Sequence, residues 1–595
     1  MKSINKRSIA VSCAGLLALS VAVFSSYAAE VRFSLVRQIT SAPFWNEGTE
    51  SQAEAVSVVT REDIDATNAK QTTDILGELP GIFIRKTGDF GRADVDIRGI
   101  GDSGRQLGVF IDGRPDKMGL FGCSVTHTLP LNNVERIEVI RGPESVLYGS
   151  EAFGGVVNII TRHASRPFEG SLLVSYGTDN TQEYRLQNGG KHGKFDYFVA
   201  VDKRTSDGNL PNSQYNAMDY STQFGYVLTP DSEISLSAKY FTGTKHEPSP
   251  ATVAWNDYDR GALDLTYKLN AGIFRNSLKV YRSFGEHKFS DGFHSKDHTG
   301  GAMLNSKTAL ADNNSLTFGL DTRYQYADVL HTAPASMIGD YHKYEYGIYA
   351  SDEHTLFKKL TLNGGLRYNR DQFAGEVWVP RAGAVYKALE GTTLRGVWSK
   401  GFRAPQLNDL YLWAGNKELK PEKVTNTEFG LRQKLGEPVE LDVSWFVMKG
   451  SDLIQAVSGK KRNIGDFEFK GAETMLTAKL SDSLNGQVNY TWFDPGSKTT
   501  GRPKDKAGAS LKYAEGRVSA ALGGTYVGRY YSGDNDTGRL KDYFLLDLRS
   551  DYKISGGLSV FAAVDNITDK NYQVYYDAAY TMPGRTITGG INYTF

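Results

Sequence analysis

A thioether, a thiol and an imidazole fall within ten residues of one another in Arg114 to Pro130, RPDKMGLFGCSVTHTLP, as Met118, Cys123 and His127. Soft sulfur with imidazole suits copper, and thiolate with imidazole suits zinc, so the trio could hold a transition metal. The plainer chemistry is packing, with Met118 and Cys123 as small apolar fillers and His127 as a hydrogen-bonding group. Five of the ten histidines gather in two further segments. His287, His294 and His298 lie in Glu286 to His298, His331 and His342 bound His331 to His342, and His246 falls in a third segment. His294 and His298 would share one face of a helix, but the residues between them do not favour one, and histidines in exposed loops are ordinarily just solvated. An organic chelate would be held differently, by aromatic and polar contacts such as Phe90, Phe121 and loop Tyr or Trp, and would be indifferent to Cys123 and His127. Catalysis is not expected. There is no Ser/His/Asp arrangement, phosphate-binding loop or zinc-hydrolase motif, and paired carboxylates such as Glu62 and Asp63 stand in ordinary surface contexts.

The elements that would position these groups begin with an export signal. Met1 to Ala28 has a basic start (Lys2, Lys6, Arg7), an apolar run from Ile9 to Phe24 and a small-x-small end at Ser26-Tyr27-Ala28, the pattern of a cleaved signal peptide. Its removal takes three positive charges and Cys13, leaving 65 Lys+Arg against 68 Asp+Glu and Cys123 as the only cysteine. That charge balance gives no support for nucleic-acid binding, and a single thiol cannot form a disulfide within the chain. No apolar run of about eighteen residues follows the signal, so a spanning helix is not expected.

Alternating segments are plentiful instead. Phe195, Tyr197, Val199 and Val201 alternate with Asp196, Phe198, Ala200 and Asp202, and Ile234, Leu236, Ala238 and Tyr240 with Glu233, Ser235, Ser237 and Lys239. Val439, Leu441, Val443, Trp445 and Val447 alternate with Glu440, Asp442 and Ser444. Phe544, Leu546, Leu548, Tyr552 and Ile554 oppose Asp547, Arg549, Asp551 and Lys553. An exported chain of aromatic, two-faced strands reads as a membrane β-barrel.

Asn132 to Arg162, NNVERIEVIRGPESVLYGSEAFGGVVNIITR, predicts a strand over Arg136 to Arg141, a helical turn around Ser145 to Tyr148, and a strand over Val156 to Ile160. Gly149, Gly154 and Gly155 supply the bends. This stretch closely resembles the plug of TonB-dependent outer-membrane receptors. Val95 to Gly99, VDIRG, and Gly108 to Gly113, GVFIDG, resemble further plug strands, and Ile75, Leu76 and Leu79 form a helical face ended by Pro80-Gly81. Lys400 to Glu422, KGFRAPQLNDLYLWAGNKELKPE, and Asp565 to Phe595 resemble the family's barrel segments. No histidine follows Phe402-Arg403-Ala404-Pro405 between Gln406 and Lys417, so the string does not mark a haem receptor.

The resemblance implies an all-β membrane protein, a 22-stranded antiparallel transmembrane β-barrel with an N-terminal α+β plug domain inside the lumen. The expected parts are a signal peptide over 1–28, a periplasmic tail over 29–54, a plug over 55–167 and a barrel over 168–595. A TonB-interacting segment is expected in the tail, with Glu30, Val31, Arg32, Phe33, Ser34, Leu35 and Val36 as the candidates, pairing by strand addition. The implied partners are TonB with its inner-membrane energising complex, outer-membrane lipid and lipopolysaccharide, and the barrel-assembly machinery, for a monomer in the outer membrane of a Gram-negative bacterium. The implied function is TonB-dependent active transport of a scarce solute. A transition metal or a metal chelate (siderophore, cobalamin, copper or zinc) would be its cargo, and no resident cofactor is expected. A passive porin or a surface adhesin barrel is the alternative. Asp312-Asn313-Asn314 predicts a tight periplasmic turn, which places Glu286 to His298 and His331 to His342 in outer loops.

Overall fold

The computed structural model describes residues 38–39, 47–48, 52–101, 104–248, 254–333 and 335–595. The signal peptide over 1–28 and the segment Glu30 to Val36 lie outside the described residues. No helix among those described is long and apolar enough to cross a membrane. The crossing is made by strands.

Twenty-two antiparallel strands, from Glu169–Gly177 to Thr586–Thr594, form one closed barrel. The first and last pair directly, with Ser171 opposite Thr594, and Gly170 and Phe595 exchange backbone hydrogen bonds of 2.9 and 3.0 Å. All four alternating segments fall within strands, Phe195–Ser206, Ser232–Glu247, Val439–Val457 and Tyr543–Ser555. Their faces separate as the period-two pattern requires. Phe198, Ala200 and Asp202 are buried toward the lumen while Phe195 is exposed; Phe446 and Met448 are buried while Trp445 is exposed. Phe544, Leu548, Tyr552 and Ile554 belong to the outward apolar band that hydrocarbon would cover.

One rim carries short turns, such as Gly193-Lys194, Asp312-Asn313 and Gly516-Arg517. The opposite rim carries the long connections 404–421, 529–542 and 566–585. Orientation therefore follows the expected rule, with Asp312-Asn313 on the periplasmic side. The two histidine-rich segments, however, are connections only over 290–293 and between His331 and Gly339, and all five histidines stand in strands. Phe274–Phe289 and His294–Ala311 are joined through 290–293 alone, His331 ends the strand Asn314–His331, and His342 lies inside Gly339–Leu356. These strands run well past the length needed to cross a bilayer, because their outer ends keep pairing above it.

The plug fills the lumen. Its five-stranded sheet runs in the order Ala55–Thr60, Val134–Arg141, Gly155–Thr161, Gly108–Ile111, Arg114–Pro115, with one parallel pair between Gly108–Ile111 and Gly155–Thr161. A second hairpin pairs Ile82–Lys86 with Ala93–Ile97. Thr60 caps the helix Arg61–Asp65 through a capping box with Asp63, which satisfies two otherwise unpaired backbone donors. The predicted turn Ser145–Tyr148 is helical, and Gly149 (φ 66°) takes a backbone conformation that side chains rarely adopt. Gly154 is needed for a different reason: a Cβ there would stand 2.5 Å from Ile100. Ile75, Leu76 and Leu79 are buried as expected, in a core with Val139, Val157 and Ile159.

Candidate functional site

The plug segment Arg114 to Pro130 rises to the outer end of the lumen and is pinned there. Arg114 donates to Ser283 (2.9 Å) and faces Asp264 (3.3 Å), the Gly119 amide donates to Asp297 (2.7 Å), and the Asn408 amide donates to the Leu120 carbonyl (3.0 Å). Within it, Met118 and Gly122 close a turn through Met118 N to Cys123 O and Gly122 N to Met118 O, each 2.9 Å. That turn brings the Cys123 Sγ to 3.7 Å from the Met118 Sδ. Met118 is buried and Cys123 half-buried, and burial pushes the Cys123 thiol up, away from the thiolate that a metal needs.

His127 is built into packing. Its ring lies against Tyr258 (4.8 Å between centroids) and Phe241 (5.8 Å), and burial, reinforced by Lys245, holds it well below the usual imidazole range and therefore neutral. Its Nε2 has no hydrogen-bond partner among the described residues. His287 is buried on the other side of Tyr258 (5.0 Å), with Arg260 at 3.1 Å from its Nε2. The other histidines turn elsewhere. His294 meets Glu286 (2.8 Å), His298 stacks on Tyr326 (4.9 Å), His342 lies edge-on to Tyr344, and His331 bonds the Gly292 carbonyl. His246 closes the strand Ser232–Glu247 against Trp255. The residues predicted as one metal-holding set are thus distributed over both faces of the wall, and among the described residues no three His, Cys, Asp or Glu side chains gather as ligands would.

The aromatic prediction divides. Phe90 is buried, stacked on Tyr215 at 4.9 Å, and serves the plug–barrel contact. Phe121 is half-buried at the outer mouth, parallel to Trp413 (5.9 Å, 12°) and 5.7 Å from Phe293. Tyr341 stacks on Tyr411 beside them at 4.4 Å, and Lys417 lies over the Tyr411 ring. Trp413 (φ 40°) and Ala414 (φ 66°) occupy the left-handed region just after the helix Leu407–Tyr411, which turns the indole toward Phe121, and the indole remains 40% exposed. The sequence reading anticipates a loop Trp without singling out Trp413, and it misses Phe293. The run Leu410-Tyr411-Leu412-Trp413, aromatic residues inside a long outer connection, was the signal.

Below the mouth the plug is fixed to the wall by buried charge. Arg98 reaches Glu428 (2.6 Å) and Glu473 (2.9 Å), Arg141 reaches Glu473 (3.1 Å), and Lys117 reaches Glu151 (2.5 Å), which also pairs with Arg323. Burial opposes the Arg98 charge, but the two glutamates outweigh it and hold the guanidinium protonated. At the N-terminal edge Arg381 clamps Glu54 and Glu144. Burial, with Glu54 beside it, raises the Glu144 carboxyl.

A closed, lipid-banded barrel stoppered by an N-terminal domain, with an aromatic mouth above, defines a plugged outer-membrane transporter. It is not an enzyme, and the filled lumen is not that of an open porin. Residues 49–156 match the TonB-dependent receptor plug domain and 171–567 match the TonB dependent receptor-like β-barrel, so the chain belongs to the TonB-dependent receptor family and works in TonB-dependent outer-membrane transport. It is 26% identical to the vitamin B12 transporter BtuB of Vibrio vulnificus, over 99% of this chain and 100% of that one. It is 25% identical to an iron-regulated outer membrane virulence protein of Vibrio cholerae, over the whole of both. Its fold is similar to the ferric enterobactin receptor PfeA of Pseudomonas aeruginosa (TM-score 0.78, 20% identity, 92% of this chain and 99% of that one). It is also similar to the FrpB iron transporter of Neisseria meningitidis (TM-score 0.80, 18% identity, 92% and 100%).

Proposed function

We propose that the cargo is an organic metal chelate, of siderophore or cobalamin type, taken up whole, with the metal travelling as substrate and with no resident cofactor. Phe121 and Trp413, seated on the buried Phe293, carry this reading, because flat, half-exposed rings at the mouth suit an organic ligand shell and offer nothing to a bare ion. The spread of the imidazole groups over both faces of the wall points the same way. So do relatives named as a vitamin B12 transporter and a ferric enterobactin receptor. In this reading bound chelate shifts the plug, TonB pairs with the tail ahead of Gln52, and tension from the inner membrane first meets the Glu54–Arg381 clamp.

The test is surface binding and uptake of iron-labelled ferric enterobactin and cobalt-labelled cyanocobalamin by cells with and without TonB. Uptake of one of them is expected only with TonB, and Trp413→Ala with Phe121→Ala should weaken its binding. Cys123→Ala with His127→Ala should leave binding intact. If the second pair instead lowered the metal bound per purified receptor and the first pair had no effect, a bare-ion carrier would replace this reading.

A further inference from the structure

The plug does not meet the barrel equally all the way round. Toward the strands Gly339–Leu356 through Thr392–Arg403 it is closely packed. Val56, Val58, Phe110 and Val146 share one apolar cluster with Tyr349, Val379 and Phe402 of the wall. A Cβ placed on lumen-side glycines there strikes the plug: Gly365 at 3.0 Å from Val146, Gly383 at 3.0 Å from Ala53, Gly401 at 2.7 Å from Pro143.

Opposite, the plug stands off. Between its segment 61–89 and the strands Asp505–Glu515, Val518–Gly528, Tyr543–Ser555 and Leu558–Asp565 lies a cavity of about 330 Å³. It extends from Tyr572 and Met582 under the outer connection 566–585 down to Lys512, near the periplasmic end of its strand. Gly523 and Ser510 face it as neighbours in register, and a Cβ on Gly523 meets nothing within 4 Å. Among the described residues the links that cross are mostly polar and stand apart from one another. Lys506 donates to the carbonyls of Gly77, Leu79 (2.9 Å) and Ile82 (2.6 Å), Lys512 pairs with Asp63 (2.6 Å), and Asn68 donates to Asp565 (2.8 Å). At the outer end Phe83 touches Tyr530 and Tyr576 donates to Asp94 (2.7 Å). Hydrogen bonds to water can replace such links one for one, whereas opening the opposite wall would expose an apolar cluster and strand buried charges.

We propose that cargo passes along this slot, and that plug segment 61–89 is the part that moves away from strands Asp505–Glu515 to Thr586–Thr594, following Glu54 and the strand Ala55–Thr60 ahead of it, while the remaining contacts of the opposite wall, through Phe110 and Val146, stay packed. The inference rests on the transport reading above. The space is at the low end of what a drug-sized molecule occupies, so a chelate needs the segment displaced, and TonB supplies that displacement. Asp74, Glu78 and Lys86 on one side and Asp547 and Arg549 on the other make the lining suitable for a solute that is polar on its outside.

The test fills the slot without touching the mouth. In cells, Gly523→Ala, Gly523→Leu and Gly523→Trp are compared for surface binding and for TonB-dependent uptake of ferric enterobactin and cyanocobalamin. Binding should persist throughout while uptake falls as volume rises and is lost with Trp. Uptake by Gly523→Trp at the native rate would overturn the route. If that variant fails to reach the surface, Ser510→Leu and Ser510→Phe, facing the same space one strand away, are read by the same rule. A native chain that takes up neither probe, or does so without TonB, would defeat the transport reading itself, a result separate from native uptake that a filled slot leaves unchanged.

Discussion

Arg98 of the plug and Glu473 of the barrel form a two-pronged ion pair, Nε to Oε1 and Nη2 to Oε2 both at 2.9 Å, with the Arg98 side chain shut off from solvent and that of Glu473 nearly so. Arg141 and Glu428 complete a group of two cations and two anions. Net neutrality makes the burial of four charges tolerable, and any single loss leaves one uncompensated.

Glu473→Gln should therefore weaken docking of the plug by about 3–5 kcal/mol, the usual consequence of breaking a buried pair. The urea concentration that releases the plug, followed by protease cleavage within residues 55–167, is expected to fall clearly. Glu468→Gln removes the partner of Lys449 and Lys470 at the exposed surface and should shift it little. Equal shifts in the two variants would contradict the importance given to burial.

Lys506→Met removes one amine from three plug carbonyls that end the helix Thr72–Leu76 and begin the strand Ile82–Lys86. Hydrogen bonds of this kind contribute about 0.5–1.5 kcal/mol each. Amide exchange over residues 77–82 should accelerate while that of Val134–Arg141, on the packed side, stays protected. Unchanged exchange over 77–82 would mean that the amine is not what holds this segment.

Glu78 is exposed to the slot inside the barrel, and crowding by the surrounding walls, against the nearby Lys512 amine, pushes its carboxyl above the ordinary 4.5. The folded state then holds a proton more tightly than the unfolded chain, so stability should fall slightly as pH rises above about 4.5, the exposure of the side chain screening most of the effect. Glu78→Gln should flatten this limb of a plot of urea midpoint against pH. A native plot that is already flat there would refute the assignment.

His127 works in the opposite sense. Its imidazole stays neutral when folded but takes up a proton below 6.5 when unfolded, so its contribution is lost as pH falls below that value. His127→Phe, which keeps a ring against Tyr258 and Phe241, should reduce the acid-side loss. An acid limb as steep as the native one would assign it to the carboxylates instead.

The plug was legible in the sequence because its bends admit few residues. Pro143, Gly149, Gly154 and Gly155 confine the backbone so closely that strand, turn and strand fall where Arg136 to Ile160 places them. The histidine segments were misread because alternation marks a strand only while one side meets hydrocarbon. Above the bilayer both sides of His294–Ala311 or Gly339–Leu356 meet water or protein, so polar residues follow one another as they would in a loop. The mouth was half legible. Phe121 stood out in a glycine-rich loop, but Phe293 and Trp413 are 172 and 292 residues further along the chain, and only the barrel's curvature brings the three rings together.

The pairing of Gly170 with Phe595 has a consequence for biogenesis. Every other hairpin of the cylinder can zip as its two strands emerge, but this seam joins the first barrel strand to the last and must wait for it. Until then two raw edges are open to any passing strand, and an unfinished chain is a template for aggregation. The Phe595 strand is thus the latch that closes both edges at once.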